Sequence, residues 1–223
     1  MDEKEAKERK NYYEKIWDVS PDYIKNSNKT QAYRKIEPDT EVKRFFEWVR
    51  KRKKEGNVLD MGCGAGRHSI LFAKGGFNVK GFDISQKAVK IAKNLSKEEN
   101  LNIKFKVSDI FNYEDKKEYD VLIDYGLLHH LPKKYWKGYK KKIMKLSKKG
   151  TYLFLFVFSR RTKDFDGVEI KSDSKVINRE HNHFLTIKET KELFPEFKIE
   201  FKREKKTIDR KKSSLVFYLR RKY

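Results

Sequence analysis

VLDMGCGAG, residues 58–66, decides the reading of this chain. Val58 and Leu59 finish an apolar strand, Asp60 stands at its carboxyl end, and Gly62, Gly64 and Gly66 make the turn. A helix pattern follows at once, with Ile70, Leu71 and Phe72 as its apolar side. Glycine at alternate positions lets the backbone bend sharply and approach a ligand with no Cβ in the way. The first amides of the new helix then face an electron-rich group. A dinucleotide fingerprint would place a third glycine at position 67. Arg67 stands there, which counts against a nicotinamide enzyme. Asp60, just ahead of the turn, suits a ligand with an amino group better than a pyrophosphate.

Working outward, strand and helix patterns alternate. The spacing predicts strand 57–61, helix 67–74, strand 78–83, helix 86–97, strand 103–107, strand 119–124, helix 133–146 and strand 152–158. Such alternation calls for a doubly wound α/β fold, a parallel sheet covered by helices on both faces. The run TYLFLFVF, residues 151–158, is apolar on both faces, as a central strand should be. After Ser159 a polar stretch to Leu185 has little periodicity. Thr186 caps a short helix to Leu193, and strands 197–203 and 214–220 close the chain, joined by a basic turn. Upstream, Asp39 is placed to cap a helix carrying Val42, Phe45, Phe46 and Val49. The first 20 residues read as a polar helix with one aromatic edge, Tyr12, Tyr13, Ile16 and Trp17. Residues 1–40 are thus expected to be a helical cover segment, and 41–223 a single domain.

Composition sets the outer limits. The 223 residues carry a formal net charge of +22, and 39% of them are charged. The basic runs are dispersed rather than gathered into one stripe, so the charge reads first as a heat-adapted, solvated surface. A nucleic-acid partner is the alternative. No apolar run approaches the roughly 20 residues of a membrane span, and the charged MDEKEAKERK start is unlike a signal peptide. A cytoplasmic location is the expectation. Cys63 is the single cysteine, set where the glycine turn wants a small side chain.

The arrangement Asp-x-Gly-x-Gly-x-Gly, with acids at successive strand ends and a terminal hairpin, resembles class I S-adenosylmethionine-dependent methyltransferases. The resemblance implies a Rossmann-like, seven-stranded sheet, mostly parallel, with a C-terminal antiparallel hairpin. It also implies the cofactor S-adenosylmethionine and its site. Asp60, Gly62, Cys63 and Gly64 belong to the first motif. Asp83, with Ile84, would accept the ribose hydroxyls, since Ser85 is the better-placed helix cap. Asp109 would accept from the adenine amino group, with Ile110 against the base. Asp124, Tyr125 and Gly126 would lie along the methionine part. Tyr12 and Trp17 would cover the cofactor. The motif DYGLLHHL and the aromatic start NYYEKIW resemble small-molecule methyltransferases of the tellurite-resistance and thiopurine type.

A small-molecule acceptor is therefore favoured over RNA or protein, and over a non-catalytic cofactor-binding module. His129 and His130, just past the fourth strand, are candidate proton acceptors, because imidazole titrates near neutrality. Packing under the next helix is the competing role. Arg67, Arg160 and Arg161 are candidates to hold an acidic acceptor, and His183, with His181 in REHNHFLT, is placed near the acceptor. Without further cysteines or regular ligand spacing, no metal is expected. Trp136, Tyr139, Ile143 and Leu146 form one helical stripe and should pack on the sheet, leaving the lysines between them solvated.

Overall fold

The first helix is held by its own ends. In the computed structural model, which describes residues 2–19, 36–165, 168–171, 174–177, 180–207 and 211–223, α1 spans Glu3–Ile16. The Asp2 side chain accepts from the Glu5 amide, and Trp17 forms the carboxyl cap. The side chains of residues 165, 174–177, 180 and 181 lie outside the described set. Helix α2, Thr40–Arg50, starts at the expected cap: Asp39 accepts from the Glu41 amide at 2.8 Å.

Strand β1 is Asn57–Met61, α3 is Arg67–Lys74, β2 is Asn78–Asp83 and α4 is Gln86–Glu98. Ser85, not Asp83, caps α4, accepting from the Ala88 amide. Strands β3 (Lys104–Val107) and β4 (Tyr119–Tyr125) follow, then two 3-10 turns, Leu128–His130 and Lys133–Tyr135, and helix α5, Trp136–Leu146. The expected helix 133–146 therefore begins as a tighter turn behind Pro132, with Tyr135 N–H donating to the Pro132 carbonyl. Proline is tolerated there because an amide at a helix start has no acceptor within the helix, and short 3-10 turns are common at such starts.

Strand β5 runs Ser147–Phe158, five residues earlier than expected. The loop-like SKKG segment is drawn into the sheet where Thr151 Oγ1 donates to the Tyr119 carbonyl at 2.6 Å and accepts from the Lys148 amide. The segment to Leu185 also differs from a structureless loop. It contains two antiparallel ribbons, β6 (Asp164–Phe165) with β7 (Val168–Glu169), and β8 (Ser174–Ile177) with β9 (Glu180–His183). Helix α6, Ile187–Leu193, has a reciprocal capping box between Thr186 and Glu189. Strands β10 (Phe197–Lys206) and β11 (Ser213–Arg221) extend further into the basic turn than the apolar pattern implies, because backbone pairing continues past the last core residue.

The main sheet has the order β10-β11-β5-β4-β1-β2-β3. Strands β3, β2, β1, β4 and β5 are parallel, while β11 runs antiparallel to both β5 and β10. Alternation along β5 serves two cores. Tyr152 and Phe154 face α2 with Phe45 and Tyr218, while Leu153, Leu155 and Val157 face α5. Trp136, Tyr139, Ile143 and Leu146 are buried on that second side, as the stripe requires. Lys142 departs from the solvated face: it is buried, donating to the Tyr113 carbonyl and to Glu114. Strand order reverses between β1 and β4, and a crevice opens there beyond the strand ends.

Candidate functional site

One cavity of about 630 Å³ fills that crevice. Its floor is built from successive strand ends: Gly62, Cys63 and Gly64 after β1, Asp83 and Ile84 at β2, Asp109 and Ile110 after β3, and Tyr125 and Gly126 at β4. The positive φ of +70° at Gly62 and +53° at Gly64 is what turns the backbone out of β1 and into α3. Tyr12, Ile16 and Trp17 of the N-terminal segment line the cavity from above.

The carboxylates in this cavity are pre-oriented. Asp83 Oδ2 accepts from the Gly64 amide at 2.9 Å and Oδ1 from the Ser85 amide at 2.9 Å. Burial pushes its carboxyl above the usual range, and these amides oppose the rise. An ionised carboxylate offers about four acceptor sites, so both oxygens retain capacity for hydroxyl donors. Asp109 Oδ1 accepts from the Phe111 amide at 2.8 Å, which fixes the side chain beside buried Ile110. An acid that can accept a diol and a second acid beside an apolar wall fit an adenosine-bearing ligand, with the glycine turn between them.

Two other strand-end acids do not border the cavity. Asp60 is 1% exposed and accepts from Ser69 Oγ at 2.6 Å, tying β1 to α3. Burial pushes its carboxyl up to about 6. Asp124 is fully buried and accepts from the Leu127 and Leu128 amides and from the Tyr139 hydroxyl. Its carboxyl is likewise raised to about 6 by burial, against those hydrogen bonds. Asp60 and Asp124 therefore make no direct cavity contact. They hold the turns that carry Gly62 and Gly126.

Further along the cavity, Tyr125 stacks on Phe156 at 4.5 Å, and His129 lies tilted against Phe158 at 3.8 Å. His129 and His130 share a hydrogen bond between their Nε2 atoms at 3.1 Å. Burial, then His130, holds His129 well below the usual imidazole range, so it is neutral at pH 7. Arg67 also lines the cavity, but it is buried, donates to the Glu37 carbonyl and lies over the Tyr125 ring. Cys63 lines it as a thiol that burial keeps protonated.

Three candidates lie elsewhere. Arg160 donates to the Phe184 carbonyl and pairs with Glu189, Arg161 pairs with Glu204, and His183 packs edge-on to Trp136. None of the three lines the cavity. The side chain of His181 lies outside the described residues. Among the described residues no group of three or more His, Cys, Asp and Glu is gathered as a metal set.

Sequence reasoning missed Asp39 as more than a cap. Its carboxylate also receives the Tyr125 hydroxyl at 3.0 Å and Lys205 Nζ at 3.4 Å, and its amide donates to His68 Nε2 at 3.3 Å. It missed Lys205, Lys206 and Lys212 of the terminal hairpin, which border the far end of the cavity. The N-terminal helix is latched at both ends. Glu14 accepts from the Gln86 and Lys87 amides and from Ser85 Oγ, at the start of α4. Arg9 donates to the His130 carbonyl, and Glu5 receives the Tyr135 hydroxyl. No local pattern signals contacts across more than 70 residues.

Comparison with known proteins is consistent with this geometry. A family model described as a methyltransferase domain matches residues 52–201. A 2-heptyl-1-hydroxyquinolin-4(1H)-one methyltransferase from Mycobacteroides abscessus is 30% identical over 135 residues, 59% of this chain. The matched part spans 58% of that relative's own length. Among solved structures, magnesium protoporphyrin IX methyltransferase from Synechocystis PCC 6803, with bound S-adenosylhomocysteine, superposes with a TM-score of 0.72. It is 21% identical, and the match covers 95% of this chain and 97% of that one. TehB from Haemophilus influenzae superposes at 0.65, also at 21% identity, over 91% of this chain and 67% of its own.

Proposed function

Because this chain belongs to the methyltransferase-domain family, we propose that it is an S-adenosylmethionine-dependent methyltransferase acting on a small molecule. The observation that carries this reading is the convergence of the glycine turn, Asp83 and Asp109 on one covered cavity. When bound, the cofactor supplies an electrophilic methyl group on a sulfonium. Asp83 accepts the ribose hydroxyls, Asp109 the adenine amino group, and Ile110 packs on the base. Gly62 and Gly64 let the backbone come close, while Tyr125 and Gly126 border the path to the acceptor.

The protein's own work is then chiefly alignment and exclusion of water. Of the expected cover segment 1–40, residues 20–35 lie outside the described set; residues 2–19 act as the cover over the body 41–223, with Tyr12 and Trp17 closing the cavity. His130 lies beyond β4, where an imidazole can take a proton from an acceptor that needs to lose one, while His129, held neutral by burial, is the weaker proton acceptor of the two. Arg67 borders the cavity and braces Tyr125 from over its ring.

The small acceptor is supported by the Mycobacteroides relative, whose name gives a hydroxyquinolinone as its substrate. The cavity is partly enclosed, which suits a small acceptor better than a macromolecule. Several lysines of the described residues are drawn into ion pairs rather than left to build a nucleic-acid face. Lys80 meets Asp115, Lys140 meets Glu196, and Lys142 and Lys145 share Glu114. The remaining charge is read as solvation, suited to heat and to a cytoplasmic setting. No described helix is long and apolar enough to cross a membrane.

The test is transfer of labelled methyl from S-adenosylmethionine into a cell extract at physiological salt, fractionated by size. Label in the small-molecule fraction supports the reading. Label confined to one RNA band would replace it with the RNA methyltransferase reading.

A further inference from the structure

We propose that Asp39 is a positioning residue for methyl transfer: its carboxylate receives the Tyr125 hydroxyl and so fixes that side chain where the cofactor half of the cavity meets the acceptor half. This inference rests on the methyltransferase reading and adds a residue to the working of the same cavity.

The sheet shows where Tyr125 stands. It ends β4, the strand between β1 and β5. On one side Met61, the last residue of β1, pairs with Asp124, and the glycine turn follows it. On the other side Tyr125 itself pairs with Phe156 of β5. The ends of β1, β2 and β3 carry the residues assigned to the cofactor, while Phe156 and Phe158 border the cavity from β5. A methyl group leaving the cofactor half therefore crosses the end of β4.

Tyr125 keeps little freedom there. Its backbone is held by the ladder to Phe156 and by its neighbour Asp124, which is buried and receives the Tyr139 hydroxyl. Its ring stacks on Phe156 with planes 16° apart, and the Arg67 guanidinium lies over the ring at 5.2 Å. Stacked rings tolerate a range of offsets, so stacking sets the plane and leaves sliding within it open. The bond from the hydroxyl to Asp39 Oδ2, at 3.0 Å, removes that freedom. Burial, then Asp39, pushes the hydroxyl well above the usual tyrosine range, so it stays a donor.

The Asp39 carboxylate divides its two oxygens between two tasks. Oδ1 caps α2 through the Glu41 amide at 2.8 Å. Oδ2 receives the Tyr125 hydroxyl and, at 3.4 Å, Lys205 Nζ. A cap needs only one oxygen, and serine serves that purpose about as well. Asp39 and Tyr125 both border the cavity, where water can satisfy either polar group alone. Their pairing is thus not required to avoid a stranded donor, and its consequence is orientation. A misplacement of about 1 Å at a reacting centre can cost on the order of a hundredfold in rate.

The experiment follows transfer of labelled methyl from saturating S-adenosylmethionine into serial dilutions of a cell extract, using the full chain, with calorimetric titration of S-adenosylhomocysteine beside it. Asp39→Ser keeps one capping oxygen and removes the second; Tyr125→Phe keeps the ring and removes the hydroxyl. Each substitution should lower the maximal rate roughly tenfold, the scale of one hydrogen bond to a charged group. The half-saturating extract concentration and the affinity for S-adenosylhomocysteine should stay within about threefold of the parent, as expected when alignment and not binding is lost. Added to Tyr125→Phe, Asp39→Ser should lower the rate by less than about twofold more, because residues acting as one unit are not additive. An unchanged maximal rate in either single variant would overturn the proposal. So would a full further loss in the double variant, which would make Asp39 act independently of Tyr125, or a loss confined to affinity. A parent chain that labels no fraction of the extract would instead overturn the methyltransferase reading itself.

Discussion

Trp17 occupies the space that a side chain on Gly64 would need. A Cβ built on Gly64 would come within 2.8 Å of indole Cζ2. The indole itself is only 5% exposed. The glycine turn and the N-terminal segment are thus fitted to each other, although 47 positions separate them in the sequence. The turn's missing side chain serves its covering helix as well as its ligand.

Replacement of Gly64 by alanine should therefore do two things at once. The residue sits at φ +53°, where any Cβ is strained by roughly 1–2 kcal/mol, and the new methyl displaces Trp17. Affinity for S-adenosylhomocysteine should fall at least tenfold by calorimetry. Unchanged affinity would mean that neither the turn's conformation nor the indole contributes to binding.

Glu14 places a carboxylate against the Gln86 and Lys87 amides at the positive end of α4. An acid at a helix N-terminus contributes on the order of 0.3–1 kcal/mol. Glu14→Gln keeps the shape and removes the charge, so amide hydrogen exchange in α1 should quicken by roughly two- to fivefold on that scale. Exchange in β4 and β5 should not change. Equal exchange in α1 would show that Glu14 does not latch the helix.

His68 and His129 are both held well below the usual imidazole range, mainly by burial, helped by Arg67 and His130 respectively. The unfolded chain takes up protons on these histidines as pH falls through about 6.5, while the folded chain does not. Their effect is to lower stability toward acid. Asp60 and Asp124, raised to about 6, act in the opposite sense: they favour the folded state at low pH and lose that contribution as pH rises through 6. Comparing His129→Gln with the parent cancels the other groups. Between pH 7.5 and 5.5 the variant should lose about 1 kcal/mol less stability in urea unfolding. Identical losses would show that His129 is not buried as a neutral ring.

Much of the architecture was legible because it is written locally. Alternating apolar runs, the glycines and the Asp39, Ser85 and Thr186 caps place β1, α3, β2 and α6 to within a residue. The site was legible only in part. Asp60, Asp83, Asp109 and Asp124 look alike in sequence, each an acid at or just beyond a strand's end. Whether such an acid faces the cavity or turns inward depends on a partner elsewhere, Ser69 for Asp60 and Tyr139 for Asp124. The ribbons after β5 were hidden because their pairing is backbone to backbone and leaves little apolar alternation. The hairpin lysines were hidden because a lysine in a basic run gives no sign of which one borders a cavity.

That division among the acids is itself open to measurement. Asp83 borders the cavity and has acceptor capacity left, so Asp83→Ala should weaken S-adenosylhomocysteine binding by roughly 1.5–3 kcal/mol, the scale of charged hydrogen bonds. Asp124 has none of its surface exposed and satisfies two amides and the Tyr139 hydroxyl. Removing it strands three buried donors, each costing on the order of 1–3 kcal/mol if nothing replaces the partner. Asp124→Ala should accordingly lower the unfolding midpoint far more than Asp83→Ala does. Its effect on affinity, measured under conditions where the variant remains folded, should be the smaller of the two. The reverse pattern, a stable Asp124→Ala that no longer binds, would place this carboxylate in the binding site and the Tyr139 contact in a secondary role.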